Sequence, residues 1–344
     1  MKTTILPFHD AIGLATSGTT KLPHLLMGNG FSIACKPKIF MYGSLFEKAN
    51  FDGLSPHAKI AFAALKTTDF EVVMQALRNA STLIDLYAGA GKKLSRQLVE
   101  DADGLREVLV QTIAQNHPAR PSDVTDAKFA ACRNFLSNFD HFYTLNYDLL
   151  LYWTLMHDES GIELKADDGF RATEDPDEDY VTWEVENTHH QNIFYLHGAL
   201  HLFDAGHELK KYTWSRTGVR LIEQIRAALN DNLYPLIVAE GESEGKVRRI
   251  GHCGYLHRGV RSFKEIGGSL FMFGHSLADN DEHITKSLHR NRNLKKLFVS
   301  IYGDPATPEN RKIIQRAVAL AAGRDDRRPL EVEFYDAASA KVWG

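Results

Sequence analysis

Two residues stand out by type and setting. Asn146 lies in Phe142-Tyr143-Thr144-Leu145-Asn146-Tyr147-Asp148-Leu149-Leu150, and His197 in Asn192-Ile193-Phe194-Tyr195-Leu196-His197-Gly198-Ala199-Leu200. Each follows a short apolar run that reads as a buried strand, so each is delivered to a strand exit. An amide there can orient a hydroxyl or a water, which is a positioning task. An imidazole there can exchange a proton near neutral pH. Taken alone, such a histidine is more often a packed structural one, so the reading depends on what accompanies it.

Two other apolar runs end in small residues. Leu22 to Leu26 leads into Met27-Gly28-Asn29-Gly30-Phe31-Ser32, and Ser269 to Phe273 leads into Gly274-His275-Ser276-Leu277-Ala278-Asp279-Asn280-Asp281. Glycines let a ligand approach the backbone, and a phosphate can rest on N–H groups where a strand turns into a helix. Asp279 can cap the helix that follows. The third glycine of G-x-G-x-x-G is missing, so the ordinary dehydrogenase fingerprint is not met. Parallel strands share one exit edge, where ligands bind at the switch point. Four such exits in one chain are the signal.

The elements that must hold these exits together alternate between strand and helix, which indicates an α/β fold: a Rossmann-like, mostly parallel sheet. From 54 to 140 the pattern is helical and nearly free of strand signals. This predicts a helical lobe inserted in a single domain that spans 1–344. Ser55-Pro56 reads as a cap with proline in the first turn, and Asp69 as a cap for the stripe Phe70, Val73, Met74, Leu77. Tyr152 to His157 reads as helix and the acidic stretch Asp167 to Glu186 as a solvated surface loop. Leu233 to Gly241 reads as a further strand. The charges between Ser243 and Lys264 fit an exposed helix face, with a phosphate grip as the sharper reading. Lys296 to Tyr302 and Leu330 to Tyr335 read as strands flanking a helix over 309–322.

Composition narrows the class. With 344 residues, 44% hydrophobic content and a net charge of -4, the chain reads as an ordinary globular protein. Its mild acidity argues against non-specific nucleic-acid binding. Cys35, Cys132 and Cys253 form no close pair, which suggests neither a disulfide framework nor a zinc site and fits a reducing cytoplasm. His189, His190, His201 and His207 match no metal-ligand spacing, so no metal is expected. The first fifteen residues are too broken for a secretory apolar region, and no run is long enough to span a membrane.

In order, Gly-x-Gly-x-Ser, Thr-x-Asn-Tyr-Asp, Leu-His-Gly and Phe-Gly-x-Ser-x-x-Asp resemble the sirtuin-like NAD-binding superfamily. More narrowly, Tyr234-Pro235-Leu236-Ile237-Val238-Ala239-Glu240-Gly241 and Phe273-Gly274-His275-Ser276-Leu277-Ala278 resemble a bacterial sirtuin-like family of unknown function. That family is related to zinc-less NAD hydrolases of anti-phage defence. The resemblance implies that Gly28, Asn29, Gly30 and Ser32 line the NAD pyrophosphate. Asn146 would lie by the nicotinamide ribose, and Asp148 would hold the loop or the nicotinamide end. His197 takes the place of the catalytic histidine, and Gly274, Ser276 and Asp279 would meet the adenosine side. Two departures argue against protein deacylation: the four-cysteine zinc module cannot be built here, and the arginine-containing loop after the glycines is replaced by Phe31-Ser32-Ile33-Ala34-Cys35-Lys36.

The activity so implied is NAD+ hydrolysis at the nicotinamide–ribose bond, with NAD as substrate and no zinc. Unchecked NAD depletion would kill the host, so gating is expected by homo-oligomer assembly, a partner protein or a nucleotide signal. A second reading, from another class, is a non-catalytic sensor that binds NAD or ADP-ribose and acts through a partner. A third is a zinc-free deacylase.

Overall fold

The computed structural model describes residues 3–87, 92–157, 161–175, 178–213, 220–231, 233–239, 243–324 and 328–344. Its strands in chain order are β1 (Ile5–Leu6), β2 (His24–Met27), β3 (Phe142–Thr144), β4 (Phe170–Ala172), β5 (Tyr180–Trp183), β6 (Ile193–Tyr195), β7 (Leu202–Asp204), β8 (Leu209–Tyr212), β9 (Gly268–Phe273), β10 (Leu294–Ile301) and β11 (Glu331–Asp336). Seven of them form one sheet in the order β1-β11-β10-β9-β2-β3-β6, with every neighbouring pair parallel. From β2 the chain steps outward through β3 to β6. From β9 it steps the other way through β10 to β11. The switch point therefore lies between β2 and β9, in the middle of the sheet.

Burial explains why these segments are strands. Leu270, Phe271, Met272 and Phe273 of β9 and Leu297, Phe298 and Val299 of β10 are all buried, the continuous apolar run of a parallel sheet covered on both faces. On one face Phe8 and Phe139 meet Phe271 with ring centroids 5.9 and 5.4 Å away. On the other, Tyr143 stacks on Phe194 at 5.2 Å and meets Phe263 edge-on at 5.1 Å. Phe263 belongs to the helix Gly254–Glu265, so helices seal both faces.

Between β2 and β3 the chain is helical, with Pro56–Ala64, Phe70–Tyr87, Lys92–Asn116 and Asp126–Leu136 within the stretch read as a lobe. Asp69 Oδ1 accepts the Glu71 N–H at 2.9 Å and caps the second of these. Ser55 precedes the first, but its hydroxyl donates to Asp101 at 2.5 Å and does not cap. Phe46, Phe51, Phe62 and Phe70 form a ring cluster, and each buried phenyl contributes about 1.5–3 kcal/mol. Among the described residues no helix is long and apolar enough to cross a membrane.

Two sequence expectations fail. The acidic stretch 167–186 is not a solvated loop throughout, because β4 and β5 lie in it and join β8 and β7 in a small antiparallel sheet. Its charges are partly paired: Asp167 with Arg171 at 2.6 Å, and Asp168 with Lys211. The segment 233–239 is not a strand. It makes one isolated bridge, Gly198 to Ile237, and Leu236 to Ala239 are buried as irregular chain. Glu240 and Gly241 lie outside the described residues.

Candidate functional site

The exits of β2 and β9 interlock. The Gly28 N–H donates to the Phe273 carbonyl and the Gly30 N–H to the Gly274 carbonyl, both at 2.9 Å. The Gly274 N–H in turn donates to Ser300 Oγ at 2.9 Å. A Cβ on Gly30 would lie 2.4 Å from Gly274 Cα, and one on Gly28 would lie 2.7 Å from the Gly274 carbonyl oxygen. The glycines are therefore required first by the close approach of two loops at the switch point. The N–H groups of Gly28 and Gly30 are committed to the β9 exit, and that of Gly274 to Ser300. The Asn29 side chain is also structural, donating to the Phe40 carbonyl at 3.1 Å.

One step along the edge, Asn146 Nδ2 donates to Ser32 Oγ at 2.9 Å, and Ser32 Oγ donates to Asp148 Oδ2 at 2.5 Å. The other Asp148 oxygen accepts the Leu150 N–H at 2.9 Å. Burial raises the Asp148 carboxyl above its ordinary pKa, against the Ser32 and Leu150 donors. His117 Nε2 accepts the Leu149 N–H at 3.1 Å and fixes the next residue. Every group in this relay but one has its partner. The amide oxygen of Asn146 makes no hydrogen bond among the described residues, and the residue is half-exposed just past β3.

A second cluster closes the edge beyond β3. His197 follows β6 and is almost fully buried. Gly198 beside it has φ +76, and a Cβ there would fall 1.8 Å from the Leu236 carbonyl oxygen, so the turn that aims His197 needs glycine. His197 Nε2 lies 2.9 Å from His283 Nε2 and 3.9 Å from Asp281 Oδ1. Strands β2 and β3 separate β6 from β9, so the chain after β9 must cross the exit edge to bring Asp281 and His283 there. Asp281 accepts from His275 Nε2 at 3.2 Å and pairs with Lys246 at 2.8 Å. His275 Nδ1 accepts the Leu277 N–H at 3.1 Å, which leaves the proton on Nε2 for Asp281.

Lys246 is 0% exposed and also pairs with Glu71 Oε2 at 2.7 Å. Glu71 comes from the helical stretch and accepts from Asn280 at 2.7 Å. Burial would lower the pKa of the Lys246 ammonium, but the two carboxylates hold it above its ordinary value. Burial would raise Asp281, but the His275 donor and the Lys246 charge hold it well below the usual carboxylate range. For His197, burial and then the Lys246 ammonium push the imidazole well below its ordinary value, against the pull of Asp281. The ring is neutral at physiological pH, and in this resting arrangement it is a weak base.

The residues singled out from sequence thus fall into three places. Gly28, Gly30 and Gly274 form the interlock. Asn146, Ser32 and Asp148 form one hydrogen-bonded relay. His197 sits in the buried ionic cluster, bonded to His283, and no hydrogen bond joins it to Asn146. Ser276 is exposed, and the Asp279 carboxylate is 94% exposed and turns toward Arg316 at 3.3 Å. In the same loop Asp281, not Asp279, points into the cluster. Sequence reasoning missed Glu71, Lys246, Asp281, His283 and His275 as site residues. A signal existed for two of them: Lys246 shares the buried helix face of Ile250, and His283 shares that of Ile284, Ser287 and Leu288.

No curated protein matches the sequence. Residues 25–343 match a family described as "Domain of unknown function (DUF4917)". Because the match runs through the sheet, the helical stretch and every residue of the site, the chain belongs to that family.

Proposed function

We propose that the chain is an NAD+ glycohydrolase of the sirtuin-like kind, gated as in the zinc-less NAD hydrolases of anti-phage defence. The observation that carries this reading is the relay at the β3 exit: Asp148 and Ser32 hold the Asn146 amide, whose oxygen has no partner among the described residues. That oxygen suits a ribose hydroxyl or an attacking water. In the reaction the bond from ribose C1′ to the pyridinium nitrogen breaks, and its electron pair leaves with neutral nicotinamide. Water bonds to C1′, and His197 Nε2, which the resting cluster holds as a weak base, takes the water proton once its contact with His283 has parted, giving ADP-ribose. The transition state is oxocarbenium-like, so orientation matters more than nucleophile strength.

The resting arrangement supports gating. His197 Nε2 faces His283, and the Gly28 and Gly30 N–H groups are engaged with the β9 exit. Substrate engagement requires the His197–His283 contact to part. The test is to incubate pure protein with NAD+ and follow nicotinamide release in wild type, Asn146→Ala and His197→Ala. Release by wild type that both variants lose supports the reading. NAD+ binding without release under every oligomeric state favours the sensor.

A further inference from the structure

The ionic cluster gathers three metal-ligating side chains at one point. His197 Nε2, His283 Nε2 and an Asp281 oxygen all lie within 4.8 Å of one another. We propose that His197, His283 and Asp281 bind a divalent first-row transition-metal ion of the zinc class, which holds the chain in a silent state until it is removed.

Three features point to the ion. First, the two imidazole nitrogens face each other at 2.9 Å, and at typical zinc–nitrogen lengths that spacing subtends about 90°; opening by about 0.4 Å gives a tetrahedral angle. Second, two imidazoles and one carboxylate form a donor set suited to zinc, cobalt or iron(II), leaving further positions for water. Third, Glu71 and Asp281 against Lys246 leave one net negative charge in the cluster, and Asp281 Oδ1, which Lys246 holds at 2.8 Å, would be shared between the ammonium and the ion. His275 Nε2 holds the other Asp281 oxygen, the outer hydrogen bond that commonly orients a ligating carboxylate.

Uptake is balanced in protons. Both rings stay neutral, the Nε2–H of the present contact moves to Nδ1, and the two Nε2 lone pairs bind the metal. Ser243 Oγ, 3.4 Å from His283 Nδ1, can accept a hydrogen bond from the relocated N–H on that ring. The silencing arm rests on His197 as the base of the proposed hydrolysis, because a coordinated Nε2 cannot take a proton. The binding arm does not, so the two fail separately.

The experiment uses tag-free, chelator-treated full-length protein titrated with Co2+, following visible absorption, with Zn2+ displacement and metal analysis after dialysis. One Co2+ per chain, lost in His283→Gln and His197→Gln variants that keep wild-type circular dichroism, is the expected result. Zn2+ should also cut nicotinamide release by wild type at least tenfold, reversed by chelator. No Co2+ uptake by folded wild type would overturn the site and leave a plain N–H···N bond between the rings. Uptake unchanged in both variants would place the ion elsewhere, for example at His24, Asp140 and His141, and would overturn it too. Binding without inhibition would overturn the silencing role alone.

Discussion

Replacing Lys246 with Met tests the ionic cluster directly. Lys246 is fully buried, 2.7 Å from Glu71 and 2.8 Å from Asp281. Removing the ammonium strands two carboxylates. Asp281 keeps the His275 donor, but Glu71, whose carboxyl burial already raises, keeps only the neutral donors Asn280 and Tyr147. Breaking such a buried pair costs about 3–5 kcal/mol. For 344 residues at about 2.1 cal/mol/K each, the unfolding entropy is ~0.7 kcal/mol/K, so the melting temperature should fall by about 4–7 °C. Thermal melts at pH 7.5 read this. Lys246→Met combined with Glu71→Gln should recover at least half of the loss. Because Lys246 also depresses His197, its removal should move the acid limb of kcat/KM upward in pH. A fall under 1 °C, or no recovery in the double variant, would refute the ionic account.

Three other outcomes follow from the same geometry. Gly198→Ala meets both a positive φ and the Leu236 carbonyl at 1.8 Å and should cost about 2–5 kcal/mol, read by thermal melting; a neutral result would mean that this turn does not hold His197. Ser32→Ala frees the Asn146 amide and leaves Asp148 short of a donor, so nicotinamide release should drop about 10- to 100-fold while the fold survives. His117 is buried and pushed to about 4 by burial. Its folded pKa lies below the unfolded 6.5, so the stability tied to the neutral ring is complete above about pH 6.5 and is lost as pH falls toward 4. The stability advantage of wild type over His117→Gln should therefore shrink by about 3 kcal/mol between pH 7 and 4. Melts at both pH values check this, and an unchanged difference would contradict it.

The parallel sheet was legible because its strands are continuous apolar runs that end in glycine or polar residues, as at Met27-Gly28 and Phe273-Gly274. Asn146 and Ser32 were legible for the same reason, each just past a strand exit. The small antiparallel sheet was not, since β4 and β5 carry charged and aromatic residues in short stretches among acids, where alternation is weak. Leu233 to Ala239 misled because burial alone produces an apolar run, and here it packs as irregular chain bridged to Gly198. The ionic cluster was hidden by topology. Glu71, Lys246 and the Asp281–His283 pair come from widely separated segments, so no local spacing announces the cluster. Lys246 also sits in a basic stretch where Arg248, Arg249, Arg261 and Lys264 are exposed.

The glycines read in the sequence as a phosphate cradle; in the structure the Gly28 and Gly30 N–H groups join two loops, and that of Gly274 bonds Ser300. The proposed function uses two side chains at this edge, the Asn146 amide and the His197 imidazole. The central claim thus rests on two side chains that no hydrogen bond connects.

The most direct measurement is nicotinamide release from NAD+ by metal-free wild type, Asn146→Ala and His197→Ala, each checked for fold by circular dichroism. The account expects turnover by wild type and a fall of about 10²–10⁴-fold in His197→Ala, with a comparable loss in Asn146→Ala. Equal release by all three folded proteins would contradict it.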